Sequence, residues 1–250
     1  LKLYYEIHGA GEPLILLHGG LGASAMFGEN LTRLAEERRV IAMDLQGHGR
    51  TADIDRPLSF DAMADDVAGL LKYLGIADAD VMGYSLGGGV ALRTAIRHPE
   101  IVKKLVVTSF AYKSAGWYPE IRAGMSQVSA AAAESMKKTP MYQLYLQIAP
   151  RPADWPVLLD KAGVLLRQEY DWSKEVDALH MPVQLVFGDA DAVSPAHAVQ
   201  FFELLGGGKK DGGWDGSGIS KARLAILPGV THYTLFSSPA LAAAVSGFLV

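Results

Sequence analysis

Val81-Met82-Gly83-Tyr84-Ser85-Leu86-Gly87-Gly88-Gly89-Val90-Ala91 sets the fold. A short apolar run ends at Gly83, and helical spacing begins immediately after Ser85, so the chain passes from strand to helix through a single sharp turn at the serine. A turn that tight brings the residues two before and two after the serine close together, and glycine leaves room at both places. The pattern is G-x-S-x-G in strand-turn-helix context. It lifts the Ser85 hydroxyl above the end of the strand and sets it at a helix N-terminus, where free amides and the helix dipole favour developing negative charge.

Outward from this turn, runs rich in Val, Ile and Leu recur at Leu14–Leu17, Val40–Met43, Leu105–Thr108, Val183–Phe187 and Leu224–Leu227. Helical spacing separates most of them, at Phe27–Glu37, Phe60–Leu74, Leu86–Arg97, Pro195–Leu205 and Pro239–Leu249. Continuous apolar strands alternating with helices predict an α/β fold: a mostly parallel, doubly wound sheet covered on both faces. Leu3–His8, followed by Gly9, Gly11 and Pro13, is expected to pair antiparallel at its edge. Ser194-Pro195 and Ser238-Pro239 each place a capping hydroxyl before a proline at the first helical position.

The alternation breaks over residues 111–179, which carry no strand-like run but hold Trp117, Trp155, Trp172 and Tyr112, Tyr118, Tyr142, Tyr145 and Tyr170. These residues read as a helical insertion into a core formed by 1–110 and 180–250. Its aromatics suit the insertion's own core, a pocket wall or the face of a homodimer. Gly206–Gly218, GGGKKDGGWDGSG, reads as a flexible loop anchored by Trp214, on the sheet edge opposite the carboxyl ends of the strands.

At 250 residues with 50% hydrophobic and 20% charged residues, the chain has the composition of a folded globular protein. A net charge of −4, with no basic run longer than a pair such as Lys103-Lys104, argues against nucleic acid as a partner. No apolar run approaches the roughly 18 residues of a membrane helix. The absence of cysteine removes disulfides, thiolate chemistry and cysteine metal sites, and fits a reducing cytoplasm. Leu1–His8 alternates like a strand and not like a signal peptide, while the lack of an initiator methionine suggests that residues precede Leu1. The seven histidines are scattered, without metal-ligand spacing, and no phosphate-binding glycine loop opens a helix, so no cofactor is implied.

A serine hydroxyl needs a base within hydrogen-bond reach, and the base needs a group to fix its tautomer. Two apolar runs lead into suitable residues. Val183–Phe187 runs into Gly188-Asp189-Ala190-Asp191, and Leu224–Leu227 runs into Pro228-Gly229-Val230-Thr231-His232. Both loops leave the strands at the same edge as Ser85, in the chain order Ser, Asp, His.

With LLHGG at 16–20, DLQGHGRT at 44–51, GYSLGG at 83–88, FGDADAVSP at 187–195 and PGVTHY at 228–233, the chain resembles the α/β-hydrolase superfamily, in its serine-nucleophile esterase and lipase-like branch. The resemblance spans essentially the full length and implies that 111–179 is a helical lid. It implies Ser85 as nucleophile, His232 as base and Asp191 as acid, with Asp189 as the alternative acid. It also implies an oxyanion hole from the backbone amides of Leu86 and Gly20, with Leu21 as the alternative to Gly20. His18 would brace its loop, and Asp44, Gly47, His48 and Gly49 would stabilise the segment after the second strand.

The expected chemistry is cofactor-independent cleavage of an ester, thioester or lactone of a small to medium, partly apolar acyl compound. Rivals that keep the same residues are hydrolysis of a carbon-carbon bond in a diketone-like compound and a cofactor-free perhydrolase or haloperoxidase activity. Haloalkane dehalogenases and many epoxide hydrolases use an aspartate where Ser85 stands, which argues against both. The HGGLG at 18–22 resembles the HGGPG of proline-releasing aminopeptidases but lacks its proline. Outside catalysis, the alternatives are a ligand receptor on the same scaffold and a scaffolding role for the glycine-rich loop.

Overall fold

A computed structural model describes residues 1–249. The elements follow the predicted alternation. β1 (Tyr5–His8), β2 (Pro13–Leu17), α1 (Glu29–Ala35), β3 (Arg39–Met43), α2 (Phe60–Tyr73), β4 (Ala79–Tyr84), α3 (Leu86–Arg97) and β5 (Val102–Thr108) form the first half. After β5 come α4 (Pro119–Ser126), α5 (Ala133–Met136), α6 (Pro140–Ile148), α7 (Trp155–Leu166) and α8 (Ser173–Asp177). The chain then completes the sheet with β6 (Val183–Ala190), α9 (Pro195–Leu204), β7 (Ala222–Thr231), α10 (His232–Leu235) and α11 (Pro239–Leu249).

The seven strands lie in the order β1-β3-β2-β4-β5-β6-β7. Every pairing is parallel except β1 with β3, where Tyr5 faces Met43 and His8 faces Val40. From β2 the chain first builds outward to β3 and then crosses to β4 on the other side. The strand order therefore reverses between β2 and β4, and a doubly wound sheet opens a crevice beyond the carboxyl ends of such a pair.

Leu14, Ile15, Leu16 and Leu17 are all fully buried because β2 is covered on both faces. Ile15 and Leu17 pack with Val67, Leu71, Val90 and Leu92 of α2 and α3, whereas Leu14 and Leu16 pack on the opposite face with Leu34, Leu241 and Val245 of α1 and α11. The caps form as expected: Ser194 accepts the amide of His197 at 3.2 Å, and Ser238 accepts that of Ala240 at 3.3 Å.

The helices between β5 and β6 are fastened to the sheet's carboxyl edge. Lys161 of α7 donates to Asp53 Oδ2 at 2.6 Å and to the carbonyls of Ile54 and Arg56, a bridge joins Trp117 to Val193 beyond β6, and a second, Lys113 to Asp171, ties the two ends of the insertion together. Trp155 is 1% exposed, and Trp117 and Trp172 are buried, so these aromatics do pack inward.

Two expectations need correction. Phe27–Glu37 is not one helix: Gly28, at φ 47°, breaks it into a 3-10 turn over Ser24–Phe27 and the shorter α1. Trp214 does not anchor its loop, since its side chain is fully exposed at the amino edge of the sheet. Among the described residues no helix is long and apolar enough to cross a membrane.

Candidate active site

Ser85 occupies the turn between β4 and α3 with φ 53° and ψ −120°, a left-handed conformation that a non-glycine residue rarely adopts. Its amide is tied to the carbonyl of Thr108 at 2.9 Å. A Cβ at Gly83 would overlap the carbonyl of Gly87, and one at Gly87 would overlap the carbonyls of Leu17 and His18. Both glycines are therefore fixed by crowding around the serine.

His232 follows Thr231, whose side chain and that of Thr234 cap the short α10 reciprocally. Its Nε2 lies 3.0 Å from Ser85 Oγ, and its Nδ1 lies 2.9 Å from Asp191 Oδ1. Because the carboxylate accepts, Nδ1 carries the proton and Nε2 is left to accept from the hydroxyl. The phenol of Tyr84 donates to the His232 backbone carbonyl at 2.6 Å, and Trp117 meets the imidazole edge-on at 5.8 Å between ring centres.

Asp191 is 6% exposed and accepts five hydrogen bonds. Besides His232, Oδ1 takes the amides of Ala192 at 2.7 Å and Val193 at 3.4 Å. Oδ2 takes the Ser109 hydroxyl at 2.5 Å and the Gly188 amide at 3.1 Å. Burial pushes the carboxyl up, but the bond to His232, that ring's charge, Ser109 and Gly188 outweigh it and hold Asp191 below the usual carboxylate range. Asp189 is exposed and accepts the Val230 amide at 3.3 Å, so Asp191 is the carboxylate that meets His232.

Gly20 and Leu21 turn past the carboxyl end of β2 and line the same cavity as Ser85 and Leu86. A Cβ on Gly20 would sit 3.7 Å from Leu86, and Leu21 is held at φ 58°. The Leu86 amide opens α3 and so has no partner within the helix.

His18 and His48 are fully buried beneath the site. His18 Nδ1 donates to the Gly19 carbonyl at 2.7 Å while Nε2 accepts the Leu45 amide at 3.0 Å, so the ring bridges the loops after β2 and β3. Burial pushes His18 down, and burial with the neighbouring His18 pushes His48 down to about 3. Asp44 accepts the amides of Ser24 at 2.7 Å and Arg50 at 2.8 Å, and a Cβ on Gly49 would strike its carboxylate.

A cavity of about 350 Å³ opens above Ser85 and His232. Leu21 and Leu58 line it from the sheet side, and Met125, Val128 and Leu165 from the inserted helices; Glu120 is its one charged wall residue. Among the described residues no cluster of three or more metal-ligating side chains occurs.

The motifs in the sequence put forward Ser85, Asp191 and His232 and do not single out Ser109 or the bond from Tyr84 to His232. The place of Ser109 directly after an apolar run is too common a feature to mark it.

A family model described as the alpha/beta hydrolase fold matches residues 12–141. The chain is 35% identical over 205 residues to a pimeloyl-(acyl-carrier protein) methyl ester esterase of Neisseria meningitidis, covering 74% of this chain and 77% of that one. It is 44% identical over 103 residues to a 2-hydroxymuconate semialdehyde hydrolase of a Pseudomonas strain, a match that spans 40% of this chain and only 36% of the relative. A thermophilic esterase from Thermogutta terrifontis superposes with a TM-score of 0.76 at 23% identity, covering 99% and 92% of the two chains.

Proposed function

The chain belongs to the alpha/beta hydrolase fold family, and on that footing we propose that it is a carboxylesterase-like serine hydrolase. The observation that carries the proposal is the hydrogen-bonded row Ser85, His232, Asp191 at the floor of the cavity. Ser85 Oγ attacks the carbonyl carbon of an ester, thioester or lactone while its proton passes to His232 Nε2. Asp191 orients the imidazole and stabilises its charged form. The amides of Gly20 and Leu86 hold the oxyanion of the tetrahedral intermediate. Collapse expels the leaving group with the proton from Nε2, and water activated by the same histidine releases the acyl group from Ser85.

Residues 111–179 serve as the lid. Their apolar contribution to the cavity favours a small to medium, partly apolar acyl group, because an anionic group would be desolvated there without a facing cation. Every reacting group is supplied by this chain, and the partner is a small acyl compound met in the cytoplasm. The semialdehyde hydrolase match supports a second reading, in which the same residues cleave a carbon-carbon bond next to a carbonyl.

Chromogenic esters of short and medium acyl chains, presented to wild type and Ser85→Ala, test the proposal. Wild type is expected to turn over at least one, and the variant to lose about a thousandfold or more in kcat/KM. Turnover of a vinylogous diketone with none of the esters would select the carbon-carbon reading. Equal ester turnover by Ser85→Ala would overturn both.

A further inference from the structure

Among the described residues, three that are not glycine have positive φ: Leu21 at 58°, Ser85 at 53° and Ser109 at 51°. The first two line the cavity floor, and backbone strain of this kind persists where the surrounding structure enforces it for a purpose. Ser109 is the one without an assigned role. It directly follows β5, its amide is tied to the Val186 carbonyl of β6 at 2.9 Å, and its side chain is fully buried. The hydroxyl spends its proton on Asp191 Oδ2 at 2.5 Å.

We propose that Ser109 is a positioning residue that sets the orientation and charge distribution of Asp191, resting on the assignment of Ser85, His232 and Asp191 above. A carboxylate held only at Oδ1 can rotate about its Cβ–Cγ bond. Two donors on Oδ2, the Ser109 hydroxyl and the Gly188 amide, stop that rotation and leave Oδ1 facing Nδ1 of His232. The left-handed turn is part of the device, because it is the backbone conformation from which this side chain meets the acid loop of the neighbouring strand.

The hydroxyl also draws negative charge toward Oδ2. Without it Oδ2 keeps the Gly188 amide alone among the described donors.

The experiment compares Ser109→Ala and Ser109→Gly with wild type, in kcat, KM and the rate at which a serine-directed phosphonate labels Ser85. Both variants lack the hydroxyl, but glycine also relieves the strain at φ 51°. Both are expected to lose about tenfold in kcat with KM within about twofold, as fits a bond to a charged group that aligns the base and not the substrate. Labelling should slow in parallel.

Wild-type kinetics in Ser109→Gly, or a loss in both variants that falls on KM and not on kcat, would overturn the proposal and leave Ser109 a backbone feature. If the phosphonate labels Ser85 in wild type and both variants match it in rate, this proposal alone fails. If Ser85 in wild type is not labelled, the underlying assignment fails and takes this proposal with it. Thermal melting verifies that each variant is folded, and Ser109→Gly, free of the strain, keeps the test decisive should Ser109→Ala fold poorly.

Discussion

The phenol of Tyr84 donates a 2.6 Å hydrogen bond to the backbone carbonyl of His232, joining the residue before the serine to the base it needs. Tyr84 is buried, and burial pushes its phenol well above the usual range, so it remains a donor throughout the working pH. Tyr84→Phe leaves a buried carbonyl short of its partner, at a cost of about 1–2 kcal/mol. The expected result is a melting temperature lower by roughly 2–6 °C together with a several-fold fall in kcat, measured by calorimetry and ester hydrolysis.

Gly124 lies in α4 at the wall of the cavity, and a Cβ built there meets nothing within 4 Å. A side chain at 124 therefore has room to enter the acyl space. Gly124→Leu should lower turnover of a medium-chain ester about tenfold relative to a short-chain one. Stability should be unchanged or higher by about 0.5–1 kcal/mol, since leucine replaces a helical glycine.

His197 is 4% exposed, stacks on Tyr112 at 4.3 Å, and has no hydrogen-bond partner for Nε2. Burial, with Lys113 nearby, pushes it down from 6.5 to about 4. Between those values the unfolded chain binds the proton and the folded chain does not, so stability is lost as pH falls from about 6.5 toward about 4. His18 and His48, also pushed down, act in the same direction. Urea unfolding at pH 7 and pH 5 should show a less stable protein at pH 5. In His197→Phe that difference should shrink by about 1–2 kcal/mol.

Trp214 stands free of the protein surface, on the edge of the sheet away from Ser85. Trp214→Ser should leave melting within about 0.5 kcal/mol of wild type and kcat/KM unchanged. A larger loss of either would mean that the loop reaches the core or the site.

Ser85, His232 and an acid loop holding Asp189 and Asp191 are legible in the sequence because each ends or closely follows an apolar run, and parallel strands deliver such ends to one edge; choosing Asp191 over Asp189 takes the family resemblance. The antiparallel edge placement of Tyr5–His8 is also legible, but its neighbour is not: it pairs with β3 and not with β2, the strand that its short, glycine-marked connection leads into. Ser109 is not legible. A serine after a strand is commonplace, and this one acquires meaning only because β5 lies beside β6 across the whole helical insertion. The break at Gly28 is hidden because Phe27 and Leu34 keep helical spacing on either side of it. Trp214 misleads because hydrophobicity favours burial but cannot supply a surface to be buried against.

The covalent step is the point on which everything else depends, and it can be seen by mass. Wild type incubated with a serine-directed phosphonate should gain one adduct, mapped to Ser85, with ester hydrolysis lost in proportion; Ser85→Ala should gain none, and His232→Ala should label far more slowly. Folded wild type that stays unlabelled, or carries its adduct on another residue, would contradict the assignment of Ser85 as the nucleophile.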